Sequence, residues 1–503
     1  MKPAVCWEVR NVKSRLTLRN AEAAPLKAIE PFGAGAFAER IQRDLKAGYR
    51  LISFFAHKAS SHTTRLYAVI AYDDDGLIRV AATNVADSFE SLTPDTPQAH
   101  LFEREIFEQT GIIPKGHPWR KPVRFIAAAP EEAGVMKFHR VEGAAIHEVA
   151  VGPVHAGIIE PGHFRFQCEG ETVLHLEMAL GYQHRGIERA LKDGPDKRSI
   201  HYMETAAGDT TVGHATAWCQ ALESLAGVDI SFRARAIREI ALELERLANH
   251  VGDIGALAGD IGFLPTAAWC GRLRGDFLNM TAVLCGNRFG RGLIRPGGVA
   301  FDIAKPQVAD ILNRLDEAYE GLDTAVPMLF DSPSVLSRFE ETGRLSIHHA
   351  VDLGLVGPAA RACGIEHDVR KNFARRPEPS TRFTISTCNT GDVLARGMVR
   401  WLEIQRSIAY VRDRIRSLPD DATMRPMKAL RPAHFTVSLV EGWRGEICHT
   451  VITGADGKLA ACKVVDPSFH NWMGLAAAMR GQQISDFPLC NKSFNLSYCG
   501  HDL

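Results

Sequence analysis

The sequence predicts an α+β protein: a small N-terminal α+β domain, then a mainly helical bundle domain with short β elements. Three observations carry this. Residues 230–258 repeat apolar side chains at three- and four-residue spacing over many turns, the period of an amphipathic helix. Two strand-like runs, 66–72 and 77–82, flank Asp73-Asp74-Asp75-Gly76, a hairpin signal. From residue 434 onward the pattern returns to short strands.

Taken in order, residues 35–47 read as a helix, the hairpin follows, and a turn-rich stretch at 92–98 leads to a helix near 99–110. Residues 118–135 hold three prolines and little periodicity, which places the connection between the two domains there. The domains are thus expected over 1–135 and 150–503, the second opening on a strand-like run at 147–151. Helical periodicity recurs at 305–320 and 391–417, and long helices with short loops argue for a bundle. Strands are expected at 434–440, 447–453 and 458–465, with Cys448-His449 as a strand end, then a helix at 468–480.

Lys+Arg and Asp+Glu both number 59, so formal net charge is zero and no nucleic-acid footprint is present. No apolar run approaches the roughly 20 residues that span a bilayer, and none follows the basic N-terminus as a signal peptide would require. Membrane contact is therefore expected through partner subunits. The 11 cysteines are scattered and never spaced C-x-x-C, which reads as reduced thiols in a cytoplasmic protein. Glycines such as Gly297-Gly298 do not form G-x-G-x-x-G, so no dinucleotide site is expected. Cys499 and His501 are two nearby zinc-type ligands, too few for a site.

Residues 103–121 (EREIFEQTGIIPKGHPWRK) resemble the signature of the 30-kDa-type subunit of respiratory complex I, through Glu103, Arg104, Glu105, Gly111, Ile112, Gly116, His117, Pro118 and Arg120. The resemblance implies a small docking unit without a cofactor, its charges structural or at a subunit interface.

From residue 151 the chain resembles the large subunit of nickel–iron hydrogenases, especially the energy-converting membrane-bound type, and its complex I counterpart, the 49-kDa-type subunit. The matching strings are VGPVHAGIIEPGHFRF at 151–166 (with His155, Glu160, His163 and Arg165), GYQHRGIERAL at 181–191 (His184, Arg185, Glu188), LELERLANH at 242–250 (Glu245, Arg246, His250), VGPAARACG at 356–364 (Arg361) and RGQQISDFPL at 480–489. In such hydrogenases two C-x-x-C pairs bind nickel and iron, because a low-valent soft metal needs sulfur donors. Counting from Val212-Gly213-His214 puts Ala207 and Thr210 at the first pair, and the Tyr498 string puts Ser497 and Gly500 at the second. Cys499 stands one residue off register. The resemblance therefore implies no metal and no cofactor bound by this chain. Trp443-Arg444 replaces the family's Pro-Arg near the iron. For a quinone reductase of the complex I kind, Pro161 and Gly208 stand where a His and a Tyr are expected, with His163 and Tyr202 nearby but off register.

Among the remaining polar residues, His155, His163, His184, His214 and His250 are candidates for a proton relay, since imidazole titrates near neutrality. Asp209 is a candidate proton carrier between the altered ligand positions. Glu245, Arg246 and His250 on one helix equally suit charge-assisted packing between bundle helices. Three functions follow. The favoured one is the peripheral large subunit of a hydrogenase-like, complex I-like oxidoreductase without a nickel–iron centre, coupling electron transfer to ion translocation. The others are a redox-inactive scaffold and a quinone reductase. The resemblance implies as partners an iron–sulfur small subunit like the 20-kDa subunit of complex I, which would carry the cluster, a ferredoxin-like subunit, and a membrane arm with antiporter-like subunits.

Overall fold

The computed structural model describes residues 16–59, 63–126, 136–155, 159–374 and 383–503. The last part of the expected connection, 127–135, and residues 156–158 of the first hydrogenase-like string lie outside the described residues.

The N-terminal part contains strand β1 (Ala23–Pro25), helix α1 (Ala34–Lys46), strands β2 (Arg50–Lys58), β3 (Thr64–Tyr72) and β4 (Leu77–Val85), and helix α2 (His100–Thr110). Strands β2, β3 and β4 form an antiparallel meander, edged by Leu16–Leu18 and, in parallel, by Pro31–Phe32. The expected hairpin is β3–β4, with Tyr72 opposite Leu77. Helix α2 stops at Gly111, whose φ of 76° is left-handed backbone that a glycine adopts without strain.

A second antiparallel sheet follows: β5 (Ile146–Val151), β6 (His163–Glu169) and β7 (Thr172–Ala179). The bundle comprises α3 (Thr211–Ala226), α4 (Phe232–Asp260), α5 (Leu264–Cys285), α6 (Lys305–Phe330) and α7 (Val393–Arg416). The Ser231 hydroxyl caps α4 by accepting the Ala234 N–H at 2.9 Å, and the Asp392 carboxylate caps α7 through Ala395 N at 2.8 Å. Helix α6 runs ten residues past the expected end at 320, because Leu322, Ala325, Val326 and Leu329 keep the buried stripe going through Pro327.

Strands β8 (His434–Gly442), β9 (Gly445–Thr453) and β10 (Leu459–Val465) and helix α8 (Pro467–Ala478) close the chain with the short helix α9 (Tyr498–Asp502). Cys448 and His449 lie inside β9, which starts at Gly445; the strand-end placement is corrected, since all nine residues of β9 are buried and the strand extends toward the turn. The fourth strand of this sheet is β1, with Ala24 opposite Phe435. The two parts also share apolar core: Tyr67 of β3 stacks on Phe435 at 5.8 Å, among Val437, Cys448 and Ile452.

Helices α4 and α7 are antiparallel and meet along a buried polar seam. Glu239 accepts from Tyr410 and Arg414, Glu243 from Ser407 at 2.6 Å, Glu403 pairs with His250 at 2.9 Å, and Asp253 with Arg400 at 2.6 Å. The three- and four-residue spacing that makes α4 amphipathic also puts Glu239, Glu243, Arg246, His250 and Asp253 on one face. Buried charges survive only when paired, so the seam fixes the register of the two helices.

Candidate functional site

Two loops face each other at the end of α4. One runs into α3 (residues 205–210); the other runs into α9 (495–500). The turn between β8 and β9 inserts Trp443 and Arg444 between them. The Arg444 guanidinium holds Asp209 with two bonds, Nη1–Oδ1 at 2.6 Å and Nη2–Oδ2 at 2.8 Å, donates to the Asn495 carbonyl, and lies 3.9 Å over the Trp443 ring. The Trp443 indole N–H donates to Asp209 O and Thr210 Oγ1, both at 3.1 Å. Burial works against the Arg444 charge, but Asp209, with Asp466 and Asp253 behind it, raises its pKa above the ordinary value. Arg185 ties the loops from the outside, donating to the carbonyls of Thr205, Ala206 and Cys499.

The four positions counted against the family's ligand pairs thus converge on one place. Thr210 is taken up by Trp443 and Arg444. Ser497 Oγ accepts the Gly500 N–H at 2.9 Å as the cap of α9. A Cβ at Gly500 would stand 2.7 Å from Asp466 Cγ, so this position has no room for a thiol-bearing side chain. Ala207 is buried. These residues do not fit a nickel–iron centre, since none supplies a thiolate. Cys499 faces Ser497 and Glu160, and burial pushes its thiol up to about 11. Among the described residues no three His, Cys, Asp or Glu side chains are grouped for a metal ion.

Behind the loops lie two groups of titratable side chains. Glu245 accepts the N–H of Val212 at 2.7 Å and Gly213 at 3.1 Å, at the start of α3. Burial pushes its pKa up to about 8, those two bonds oppose the rise, and Asp209 adds to it. A cavity of about 10 Å³, of the order of one water, lies among Glu245, Asp209, Arg274 and Arg288. The second group is Asp466, His214 and His449: His214 Nε2 to Asp466 Oδ2 is 3.0 Å, and His214 Nδ1 to His449 Nε2 is 3.1 Å. A carboxylate only accepts, so His214 donates from Nε2 to Asp466 and shares its Nδ1 with His449 Nε2. Burial and His214 hold His449 well below its ordinary pKa, which keeps it neutral.

Arg246 anchors the inserted turn, donating to the carbonyls of Glu441 at 2.8 Å and Gly442 at 3.1 Å. Arg361 is fully buried, 2.8 Å from both Glu403 and Glu441. Its helix starts at Gly357, where φ is 67° and a Cβ would meet the Arg444 carbonyl at 2.1 Å. Only glycine lets this backbone press against the turn.

The structure therefore gathers Asp209, His214, Glu245, Arg246, His250, Arg361 and Arg444 about the inserted turn, with Arg185 outside. It does not join the five histidines into a relay. His163 contacts Gly152 O at 3.0 Å and Arg165 on the β5–β6 sheet, His155 has no partner among the described residues, and His184 meets Asp502 O at 2.8 Å. Glu188 sits with Lys463 at 3.1 Å on the far side of α9. Sequence reading missed Asp466, His449 and Glu403. Asp466-Pro467 carries a helix-start signal, but nothing local pairs it with His214.

Two family models match. The 30-kDa subunit of respiratory-chain NADH dehydrogenase matches residues 34–129, and the 49-kDa subunit matches residues 260–434. The chain is 31% identical to the carbon monoxide-induced hydrogenase of Rhodospirillum rubrum, over 69% of this chain and 97% of that protein. It is 30% identical to hydrogenase-4 component G of Escherichia coli, over 84% of this chain and 77% of that protein. With NADH-quinone oxidoreductase subunit 4 of Thermus thermophilus it shares 26% identity, over 71% of this chain and 93% of that protein.

Proposed function

The chain belongs to the family of hydrogenase and complex I subunits that joins a 30-kDa-type to a 49-kDa-type domain, and from this premise we propose that it works without a nickel–iron centre. In this reading it is the peripheral large subunit of a multi-subunit oxidoreductase. It sits on the cytoplasmic side of a membrane, held there by partners, and links electron transfer in an iron–sulfur small subunit to ion movement in a membrane arm. No helix among the described residues is long and apolar enough to cross a membrane.

The observation that carries the reading is the Arg444–Asp209 pair between the two facing loops. The guanidinium is committed to the Asp209 carboxylate and the Asn495 carbonyl, and none of the four positions on the loops supplies a thiolate. Glu245, pushed up to about 8, holds or releases a proton near neutral pH according to the charge placed beside it. An electron arriving in a neighbouring subunit is such a charge.

Metal analysis with hydrogen–deuterium exchange on the intact purified complex tests this. Iron with acid-labile sulfide, no nickel and no exchange activity is the expected result. Nickel at one equivalent per chain would overturn it.

A further inference from the structure

A cavity of about 360 Å³ opens between α4, α7, β8 and residues 369–374, away from the facing loops. Small-molecule sites span roughly 300–1,000 Å³, so the volume suits a small ligand. Its apolar wall comes from Ile230, Leu242, Phe373, Leu439 and Val440; the carboxylates of Glu239, Glu243 and Glu441 line it too, each already engaged, by Tyr410 and Arg414, by Arg370 and Ser407, and by Arg361. The hydroxyl of Thr216, 1% exposed, lines it without a hydrogen-bond partner among the described residues. A buried hydroxyl left unpaired is destabilising, and a polar ligand atom in the cavity would relieve it.

The charges around the cavity are uneven. Arg238 is neutralised by Glu223, and Arg370 by Asp368 and Glu243. Arg235 and Lys371, nearer solvent, have no acidic partner among the described residues. With the lining carboxylates engaged, the cavity offers an apolar wall, one unpartnered inner hydroxyl and these two cations.

We propose that this cavity binds a small organic acid with an apolar body. Its acidic group lies at Arg235 and Lys371, its apolar part against Ile230, Leu242 and Val440, and its inner end on Thr216. The strand that walls the site, β8, continues through Glu441 and Gly442 into Trp443 and Arg444. A ligand here thus bears on the strand that ends between the facing loops. The proposal stands independently of how those loops work.

The test titrates the intact complex with anilinonaphthalene sulfonate, an aromatic anion that fluoresces when desolvated, and competes it with dodecanoate and with naphthoate. A saturable component of one site per chain is expected, displaced by one of the acids. Displacement by dodecanoate identifies an acyl ligand, displacement by naphthoate an aromatic one. Leu242→Trp fills the cavity and removes the component. Lys371→Glu, at an exposed position that leaves folding intact, weakens it about tenfold and flattens its salt dependence. No saturable component, displacement by neither acid, or binding unchanged in both variants would overturn the proposal.

Discussion

Arg50 of β2 reaches across to Glu446 of β9, its Nη2 2.9 Å from Oε2, with both side chains buried. The same guanidinium holds Asp73 at 2.7 Å, and His367 lies 3.2 Å from Asp73 and 3.4 Å from Glu446. Four charged groups therefore tie the N-terminal part to the bundle. Burial and Arg50 oppose a charged His367, but the two carboxylates prevail and push it up to about 9.

A histidine raised in this way stabilises the fold fully below its unfolded value of 6.5, and that contribution is lost as pH rises through about 9. His367→Gln is expected to flatten the decline of Tm between pH 6.5 and 9, read by calorimetry. Glu446→Ala strands Arg50 and His367 and is expected to cost roughly 3–5 kcal/mol. An unaltered pH profile in His367→Gln would mean the ring is neutral in the fold.

Glu245 gives the second prediction. Its carboxyl is raised from 4.5 to about 8, so its contribution to stability is greatest below 4.5 and falls as pH rises through about 8. Glu245→Gln keeps the shape, removes that fall, and is expected to abolish any pH dependence of electron-driven ion transport centred near 8. Transport measured in vesicles against pH decides it; an unchanged midpoint assigns the titration to another group.

Restoring the hydrogenase ligands is expected to fail. The quadruple variant Ala207→Cys, Thr210→Cys, Ser497→Cys, Gly500→Cys places a side chain on Asp466 and leaves Arg444 between the thiols. Overpacking of this kind costs about 1–3 kcal/mol. Nickel content should stay at background and Tm should fall; stoichiometric nickel would show that the loops can open around Arg444.

Glu105 is 2.6 Å from Lys463 and also pairs with Arg124. Burial pulls Lys463 down to about 8 despite Glu188. A lowered lysine makes stability rise with pH between about 8 and the unfolded value of 10.5. Glu105→Ala should therefore be several kcal/mol less stable at neutral pH, on the order of 3–5, and should recover part of that loss by pH 9. A deficit that does not change with pH would put the damage in packing instead.

The long elements were legible because their signals are local. The stripe of Ile237, Ile240, Leu244, Leu247 and Val251 gives α4 within two residues, and Asp75-Gly76 gives the hairpin. Ala207, Thr210, Ser497 and Gly500 were singled out only because the resemblance to the hydrogenase motifs implies ligand positions there. Partners separated by hundreds of residues were not: Asp466 with His214, Glu403 with His250, and Asp209 with Arg444 each need the folded chain to meet. His449 gave no signal either, since a fully buried strand hides its polar residue in an apolar run.

Strand β1 completes the sheet of β8, with Ala24 opposite Phe435. On a ribosome adding 5–20 residues per second, the first of these partners waits on the order of 20–80 s for the second. During that interval the unfinished N-terminal layer presents Phe55 and Tyr67 with nothing to cover them from the C-terminal side. Newly made chains should therefore draw on chaperones until the last seventy or so residues emerge, and a ribosome stalled before β8 would release a product prone to aggregate.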